Sequence, residues 1–391
     1  MSLSKHKYIP SYDFPEELLS EIFKRLPVKN LLPILILSIY FLEDKSIHEF
    51  TVRSDDSQCR KYCTFDYPLD LPACSWYAQS NGLICLSNMF GYEPDYNPDI
   101  YLWNPLVQKY KTVPDSTRST LTYKEVNWNA LAFGYLPEVD DYVVVHIVKP
   151  RSTSEPKDSF MGPDAHLDYE KYLHSIIICV YSLSTNSWKE IRQDKVLVDY
   201  MSSNHSVFVN GTAFWVGCDL LFQLVMSFDT KTNVLQKFKV PDYMAPCERQ
   251  LDNPLILPFG HSFGYFVEVD EFDRVDVDED EHDGSPQLDI WVLKDGMSME
   301  NDMWGTCSWK KKMSVGLSEN VWADVLGIRN NGEPIQAKSD KLISYDLDTH
   351  EPYDFVESCD HLTPSSYYEN GFKAPFVIRP FVETLVFHDI D

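Results

Sequence analysis

The nine cysteines and eleven histidines of this 391-residue chain are the side chains that could support metal or redox chemistry. No two cysteines form a CxxC pair, and an odd number without a secretory signal does not suggest a disulfide framework. The nearest approach to a zinc pattern is Cys59, Cys63 and Cys74, which no second ligand pair follows at zinc-module spacing. The sequence therefore predicts reduced thiols and no metal or other cofactor.

Catalytic motifs are absent from the sequence. No glycine-rich phosphate loop, nucleophile elbow or HExxH pattern occurs. With 60 acidic residues in the chain, a single Asp or Glu carries no information about catalysis. Scattered histidines such as His146, His174, His205 and His261 are interpreted as ordinary core or surface groups. We therefore predict a protein without catalytic residues.

One acidic segment is dense enough to bind a partner. Residues 268–286 read EVDEFDRVDVDEDEHDGSP, with ten acids and one Arg between 268 and 283. We interpret Asp270, Asp276, Asp278 and Asp280 as candidate substrate-binding residues, since a field of one sign steers an oppositely charged partner. A solvated, mobile charged loop remains an alternative. Calcium is another, although the segment lacks the glycine and the closing Glu of an EF-hand loop.

The overall charge narrows the choice of partners. The formal net charge is -26, and the first 50 residues contribute only one negative charge to it. Nucleic acid is excluded as a partner, because its phosphates are bound chiefly by Lys and Arg. A basic protein is favoured instead.

An apolar stretch near the N-terminus, LPVKNLLPILILSIYFL (residues 26–42), could suggest a membrane segment. Its uninterrupted run, residues 31–42, is shorter than the about 20 residues that a membrane-spanning helix needs. The N-terminus also lacks the pattern of a secretory signal. We expect a protein that does not bind membranes and that resides in the cytoplasm, with the nucleus left open.

The residues around this stretch predict two helices. In DFPEELLSEIFKRLP (residues 13–27), Pro15 suits a first helical turn, and apolar residues recur on one face until Pro27. Asn30 can cap a second helix with Pro33 in its first turn. The apolar positions of this second helix lie all round it, so it must be covered by something else.

The stretch FPEELLSEIFKRLPVKNLL resembles the start of an F-box, the helical module that binds substrate receptors to a Skp-family adaptor in cullin-based ubiquitin ligases. The resemblance runs from Phe14 to Phe50, although the family usually has other residue types at Pro33, Ile39, Phe41, Asp44 and Lys45. It implies an adaptor interface drawn from ten residues, which are Pro15, Leu18, Leu19, Ile22, Phe23, Leu26, Pro27, Leu31, Leu32 and Leu35.

The rest of the chain consists of short apolar runs separated by turns, which predicts an all-β region. Five segments share a plan in which an apolar strand ends in a polar turn and a second strand follows. Their equivalent aromatic residues are Trp103, Tyr181, Phe228, Trp291 and Tyr345, at intervals of 78, 47, 63 and 54 residues. Loose repeats of about 40 to 50 residues predict a β-propeller. We expect about six blades, with a partial extra blade in the first interval and Trp103, Trp188, Trp291 and Trp309 in the blade cores.

The same segments are similar to the F-box-associated β-propeller domain of plant F-box proteins, in the phrases SNGLICL, LWNP, FGYLPEVDDYVVV, VYSLSTNSWKEI, MSFD and LDIWVL. The predicted fold is mainly β, with a small all-α F-box (residues 1–53, core 14–50), a linker (54–75) and an irregular kelch-like β-propeller (76–391).

The resemblance implies a function as well as a fold. It implies a non-catalytic substrate receptor that binds a Skp-family adaptor and, through it, a cullin. Within the family, the acidic charge and these phrases are similar to S-locus F-box and S-haplotype-specific F-box proteins, which implies a basic secreted ribonuclease as a target in self-incompatibility. The alternative is a binding or hydrolytic propeller that acts alone, with a decayed F-box.

Overall fold

A computed structural model gives the fold of the chain as an assembly of β-strands. It describes residues 34–42, 45–55, 61–68, 70–72, 74, 76–88, 99–116, 126–150, 173–198, 200–219, 223–241, 255–260, 262–269, 287–293, 304–305, 308–316, 325–338, 341–356 and 377–380. These residues contain 25 strands and no helix. Accordingly, no helix able to cross a membrane occurs in this part of the chain.

Most strands belong to four-stranded antiparallel units built from consecutive segments of chain. Unit 2 contains β4 (Trp76–Ser80), β5 (Leu83–Ser87), β6 (Ile100–Asn104) and β7 (Lys109–Thr112). Unit 3 contains β8 (Val126–Leu136), β9 (Asp141–Pro150), β10 (His174–Ser182) and β11 (Ser187–Val196). Unit 4 contains β12 (Tyr200–Val209), β13 (Thr212–Cys218), β14 (Gln223–Asp229) and β15 (Val234–Lys239).

Two further units follow the same order. Unit 5 contains β16 (Leu255–Phe259), β17 (Ser262–Val269), β18 (Gln287–Leu293) and β20 (Trp309–Gly316), while the short β19 (Trp304–Gly305) pairs in parallel with β15 of unit 4. Unit 6 contains β21 (Val325–Ile328), β22 (Pro334–Lys338), β23 (Lys341–Tyr345) and β24 (Pro352–Val356).

Unit 1 is assembled from the two ends of the described chain. It contains β1 (Ile34–Leu42), β2 (Lys45–Arg53) and β3 (Lys61–Asp66), and β25 (Val377–Pro380) pairs antiparallel with β1. A single parallel pairing, Gly327 with Ile378, joins β25 to β21 of unit 6. Units 6 and 1 therefore form one eight-stranded sheet.

The predicted mainly β propeller is confirmed, and the number of blades needs a correction. Counted as hydrogen-bonded sheets, the described residues form a five-bladed arrangement, not about six blades. The difference arises because the β21–β25 pairing merges two four-stranded units into one sheet. The described residues contain no partial blade in the first interval between repeats, since Trp103 and Tyr181 lie in neighbouring units. Much of the extra length falls in residues 117–125 and 151–172, which lie outside the described residues.

The structure also corrects the prediction for the apolar stretch. Residues 34–42 form strand β1, paired along its whole length with β2, so the second helix is wrong for these residues. The predicted linker (54–75) contains β3, which belongs to the same sheet. The propeller therefore begins before residue 76. A run rich in Ile and Leu suits a strand that is paired on both sides, and short apolar runs do not distinguish such a strand from a helix.

The hydrophobic core lies between neighbouring units. Five clusters of buried residues fill, in turn, the interfaces of units 1 and 2, 2 and 3, 3 and 4, 4 and 5, and 5 and 6. Phe50 and Val52 of unit 1 meet Leu86 and Trp103 of unit 2 in the first of them. The alternation of side chains along each strand lets one sheet contribute to two clusters.

Candidate binding face

The inner strand is the first strand of units 2 to 6 (β4, β8, β12, β16 and β21) and β25 in unit 1. These strands all run in the same direction, which defines two different faces of the propeller. Contacts join the ends of neighbouring inner strands: the Tyr135 N–H donates to Ser80 Oγ at 3.0 Å, and Gly134 approaches the ring of Phe208. At the ends of β16 and β21, Phe259 and Gly332 approach each other in the same way. We call the face where inner strands end the turn face and the opposite face the connection face.

The turn face carries short connections. Two of them are Asn-Gly hairpins, Asn81-Gly82 and Asn210-Gly211, in which all four residues have positive φ. Such a pair suits a two-residue type I′ turn, whose twist matches the flanking strands. The β14–β15 turn is held by the carboxylate of Asp229, which accepts hydrogen bonds from the backbone N–H groups of the two residues after Thr230. One long link, residues 294–308, also starts and ends on this side, at the end of β18 and the start of β20.

Most of the long links leave from the connection face, because the second-to-third and fourth-to-first strand links start and end there. These links include residues 88–99, 113–125, 151–173, 240–254, 270–286 and 357–376. Binding residues concentrate on loops that a rigid scaffold positions. The connection face is therefore the candidate binding face.

Hydrogen bonds fix the ends of two of these connections. Asn88 donates through Nδ2 to Asp99 at 3.0 Å and accepts from the Asp99 backbone N–H at 2.9 Å, which closes the base of the β5–β6 link. Ser175 donates to Asp194 at 2.5 Å where β10 begins and β11 ends. The long links therefore leave from anchored strand ends.

A buried lysine stabilises the connection face between units 3 and 4. Lys237 is buried and donates through Nζ to the Leu197 carbonyl at 2.9 Å, with a carboxylate oxygen of Asp219 3.9 Å away. Burial lowers the pKa of Lys237, and the charge of Asp219 opposes this shift. A buried lysine is costly unless it is paired, so this contact fixes the short β11–β12 link.

His146 is the histidine in the described residues whose surroundings depart most from those of an ordinary surface group. It is buried in β9, its Nδ1 lies 2.8 Å from Ser116 Oγ, and its Nε2 has no hydrogen-bond partner among the described residues. Burial lowers its pKa to about 4, against the opposing charge of Asp115. The neighbouring Cys179 of β10 has a pKa raised to about 12 by burial and then by Glu190. Both groups are neutral near pH 7, so they do not form a thiolate–imidazolium pair.

The residues predicted from the sequence to bind a partner lie mostly outside the described residues. Nine of the adaptor-binding residues do so, namely Pro15, Leu18, Leu19, Ile22, Phe23, Leu26, Pro27, Leu31 and Leu32. The tenth, Leu35, lies in β1, where it pairs with Val52 and Arg379. That position removes Leu35 from the predicted helical interface, because its backbone is part of the propeller sheet. Asp270, Asp276, Asp278 and Asp280 also lie outside, between β17 and β18.

The described residues contain no group of three or more His, Cys, Asp or Glu side chains able to hold a metal ion. Of the three cysteines nearest to a zinc pattern, the structure places the side chain of Cys74, which is buried. Burial raises its pKa to about 11. A thiol in such surroundings is a poor metal ligand, because the thiolate is the binding form.

Sequence reasoning missed a buried polar cluster of the described residues. Arg329, at the end of β21, forms an ion pair with Asp55, which follows β2, at 2.6 Å, and a second with Glu333 at 2.6 Å. The two strands are far apart in the chain, and an Arg in a polar turn gives no local signal of burial. Trp215, which is fully buried, is also not among the tryptophans predicted from the sequence to lie in blade cores.

The N-terminal segment joins the propeller at the turn face. Because β1 runs antiparallel to the inner strand β25, its first residue, Ile34, lies where the inner strands end. Ile34 pairs with Arg53 and with Pro380 at that end of the sheet. Residues before Ile34 are thus attached on the side opposite to the candidate binding face.

Comparison with known proteins identifies the relatives of this chain. Residues 36–347 match the F-box associated beta propeller domain. An F-box protein of Arabidopsis thaliana is 25% identical over 167 residues, a match that covers 42% of this chain and 40% of the relative. The chain thus spans less than half the length of this curated relative.

Two solved structures have an arrangement of strands that is weakly similar to this one, with TM-scores below 0.5. A candidate 6-phosphogluconolactonase from Bacteroides uniformis has a TM-score of 0.44 at 10% identity and covers 89% of this chain and 98% of its own. The acylaminoacyl peptidase of Pyrococcus horikoshii has a TM-score of 0.37 at 8% identity, with 84% and 51% covered.

The family match covers β1 to β23 and therefore most of the described strands. It begins within β1, in agreement with the placement of that strand in the propeller and not in a helical module. The chain therefore belongs to the family of F-box associated β-propeller domains.

Proposed function

We propose that this protein is the non-catalytic substrate-recognition subunit of an SCF-type (Skp–cullin–F-box) ubiquitin ligase. The segment before Ile34 binds a Skp-family adaptor and, through it, a cullin. The connection face of the propeller binds a target protein, and ubiquitin transfer gains its rate from the proximity of the two. A location in the cytoplasm, with the nucleus left open, is part of the proposal.

The observation that carries the proposal is the attachment of the N-terminal segment opposite to the candidate binding face. Ile34 lies at the turn face, whereas most of the long links leave from the connection face. Two partners bound at opposite faces do not compete for the same surface. A receptor that holds a ligase and a target at once needs two surfaces that do not overlap, and attachment at opposite faces supplies them.

Capture of a purified Skp-family adaptor by the full chain tests the proposal. We expect wild type to bind and Leu26→Asp to lose binding, because the substitution places an unpaired charge in an apolar contact. The variant should keep the unfolding transition of wild type, since residue 26 precedes the first propeller strand. Equal affinity of both proteins in a calorimetric titration would contradict the assigned interface.

We further propose that the target is a basic protein, such as a basic secreted ribonuclease, and that the acidic segment 268–283 steers it. The support is the charge of the segment and its position between β17 and β18, whose link leaves from the connection face. Target association should slow with added salt, and neutralising Asp276, Asp278 and Asp280 to Asn should reduce both the on-rate and its salt dependence. An on-rate indifferent to salt and to these substitutions would remove the steering role.

A specific observation favours a second candidate, a binding propeller that acts without an adaptor. Strands β1 and β2 occupy residues that the resemblance assigns to the second half of the F-box, so these residues serve the propeller. If the full chain captures no adaptor while the chain from residue 34 onward still binds a target, this second candidate replaces the first.

A further inference from the structure

Four side-chain atoms of the described residues are buried without a hydrogen-bond partner among those residues. They are Trp76 Nε1, Asn129 Oδ1, His146 Nε2 and Gln336 Nε2. Buried polar atoms of folded proteins are nearly always bonded to protein groups or to ordered water, because a polar group taken out of water destabilises the fold unless it gains a new partner. Gln336 lies in unit 6, whereas the other three residues belong to units 2 and 3.

These three residues lie in the interface between units 2 and 3. Trp76 of β4 belongs to the hydrophobic cluster of that interface, together with Leu131 of β8. Side chains alternate along a strand, so Asn129, two residues before Leu131, lies on the same side of β8. His146 of β9 pairs with Leu131 across the two strands and therefore shares that side as well. Three unpartnered polar atoms are thus associated with one edge of one cluster.

Residues that follow β7 of unit 2 contact the same side of unit 3. Ser116 Oγ lies 2.8 Å from His146 Nδ1, and Nε1 of Trp188 in β11 donates to the Pro114 carbonyl at 2.6 Å. These residues begin the link from β7 to β8, which is one of the links of the connection face. The unpartnered Nε2 of His146 therefore belongs to a side chain that holds the base of a link on the candidate binding face.

Burial decides the protonation state of the imidazole. His146 is 2% exposed and Trp76 is 3% exposed. Burial lowers the pKa of His146 to about 4, against the opposing charge of Asp115, so the ring is neutral near pH 7. A neutral imidazole carries one N–H and one acceptor nitrogen. Nε2 is therefore a donor or an acceptor, according to the direction of the hydrogen bond between Nδ1 and Ser116.

The chemistry of the three atoms favours water as the molecule that satisfies them. Trp76 Nε1 is a donor and Asn129 Oδ1 is an acceptor, while His146 Nε2 can be either. Water both donates and accepts hydrogen bonds, and a buried water typically makes about three of them. An ion of either charge matches only part of this set. Hydrogen bonds mediated by water are nearly as favourable in enthalpy as direct ones.

We propose that the interface between units 2 and 3 binds ordered water at Trp76 Nε1, Asn129 Oδ1 and His146 Nε2. The bound water connects the inner strand of unit 2 to the first two strands of unit 3. Through His146 it also supports Ser116 at the base of the β7–β8 link. The proposal does not depend on adaptor or target binding.

Nuclear Overhauser contacts between water and tryptophan indole protons test the site. The full chain is labelled with 15N-tryptophan in a deuterated background, and Trp76→Phe assigns the Trp76 signal. We expect the Trp76 indole N–H to contact a long-lived water. Trp215 is the matched control, because it is also fully buried but its Nε1 donates to the Leu131 carbonyl at 2.9 Å. The Trp215 indole N–H should show no such contact.

Two results of this measurement would overturn the proposal. One is a Trp76 indole N–H without a water contact, and the other is a contact of equal strength at Trp215. The measurement uses the protein alone, so its failure is distinct from failure of the proposed function.

The variant Asn129→Leu gives an independent test, because it removes the acceptor while keeping a similar branched shape. If water is bonded to Oδ1, the variant should weaken the water contact at Trp76 and lower the urea midpoint of unfolding. If Oδ1 is buried without any partner, its removal relieves a cost of desolvation and the midpoint should rise. A raised midpoint would therefore contradict bound water at this atom.

Discussion

At the scale of single residues, His146 shows how burial decides the state of a group that could otherwise do chemistry. Its Nδ1 contacts Ser116, its pKa is lowered to about 4 by burial, and it stands beside a neutral thiol at Cys179. The sequence alone predicts an ordinary core or surface group at this position. Its depressed pKa could not be predicted, because it depends on residues packed from another strand and from the link before β8.

The pH dependence of stability should report this histidine. Its folded pKa of about 4 lies below the ordinary 6.5, so between these values the unfolded chain binds a proton that the folded chain does not. Stability contributed by the neutral imidazole is present above pH 6.5 and is lost as pH falls toward 4, by about 3 kcal/mol. Urea unfolding of wild type and His146→Gln across this range should show a smaller loss in the variant. Parallel curves would contradict the assignment.

Gly134 offers a second test at this scale. A Cβ atom added there would lie 1.8 Å from Cδ1 of Phe208, where β8 approaches β12. We expect Gly134→Ala to lower the free energy of unfolding by roughly 1–3 kcal/mol, because overpacking forces the ring to move. The double variant Gly134→Ala, Phe208→Leu should recover part of the loss. A single variant as stable as wild type would show that the strands separate freely.

At the scale of elements, the aromatic residues aligned from the sequence prove to be structurally equivalent. Trp103, Tyr181, Phe228, Trp291 and Tyr345 all lie in the third strand of successive units. They were predictable because each precedes or accompanies a local turn signal. The strand character of residues 34–42 was not predictable, since its partner β25 lies near the other end of the chain and an apolar run also suits a helix.

Tryptophan side chains also connect neighbouring units through hydrogen bonds. Trp215 Nε1 donates to the Leu131 carbonyl at 2.9 Å, and Trp309 Nε1 donates to the Lys239 carbonyl at 2.8 Å. Of the tryptophans predicted to lie in blade cores, Trp103 is fully buried, whereas Trp188, Trp291 and Trp309 are partly buried at the edges of clusters. The edge positions of Trp188 and Trp309 combine an apolar contact with a hydrogen bond.

Paired substitutions can separate these contributions. Trp215→Phe should cost roughly 3 kcal/mol, because it leaves a small void and removes a buried donor. Trp188, which donates to the Pro114 carbonyl at 2.6 Å, is partly exposed, and Trp188→Phe should cost only about 1 kcal/mol. Denaturant midpoints of both variants provide the measurement. A larger loss for Trp188 would mean that the β7–β8 link, not the buried interface, dominates stability.

At the scale of the whole molecule, the two chain ends play different roles. Composition and repeats were sufficient to predict a mainly β propeller, because strand and turn signals are local. The closure of unit 1 by β25 and the Arg329–Asp55 contact were beyond sequence reasoning, since both join residues that are distant along the chain. The predicted adaptor segment stays a prediction, as do the acidic binding residues.

Removal of residues from the two ends of the chain should affect stability differently. A chain lacking residues 1–33 should keep the free energy of unfolding of the full chain, because every described strand remains. A chain ending at Val356 loses β25, the shared neighbour of β1 and β21, and should unfold at clearly lower denaturant. Equal midpoints for the full chain and the second truncation would show that β25 contributes nothing to closure.

Assembly of unit 1 from both ends has a consequence for biosynthesis. The ribosome must add 274 residues to reach Arg329 after Asp55, which takes roughly 14 to 55 seconds at about 5–20 residues per second, and β25 emerges later still. During that time β1 presents an open apolar edge, the kind of surface that recruits other nascent strands. A stop codon ahead of Val377 would leave this edge of β1 without its β25 partner, and such a product should associate with other chains.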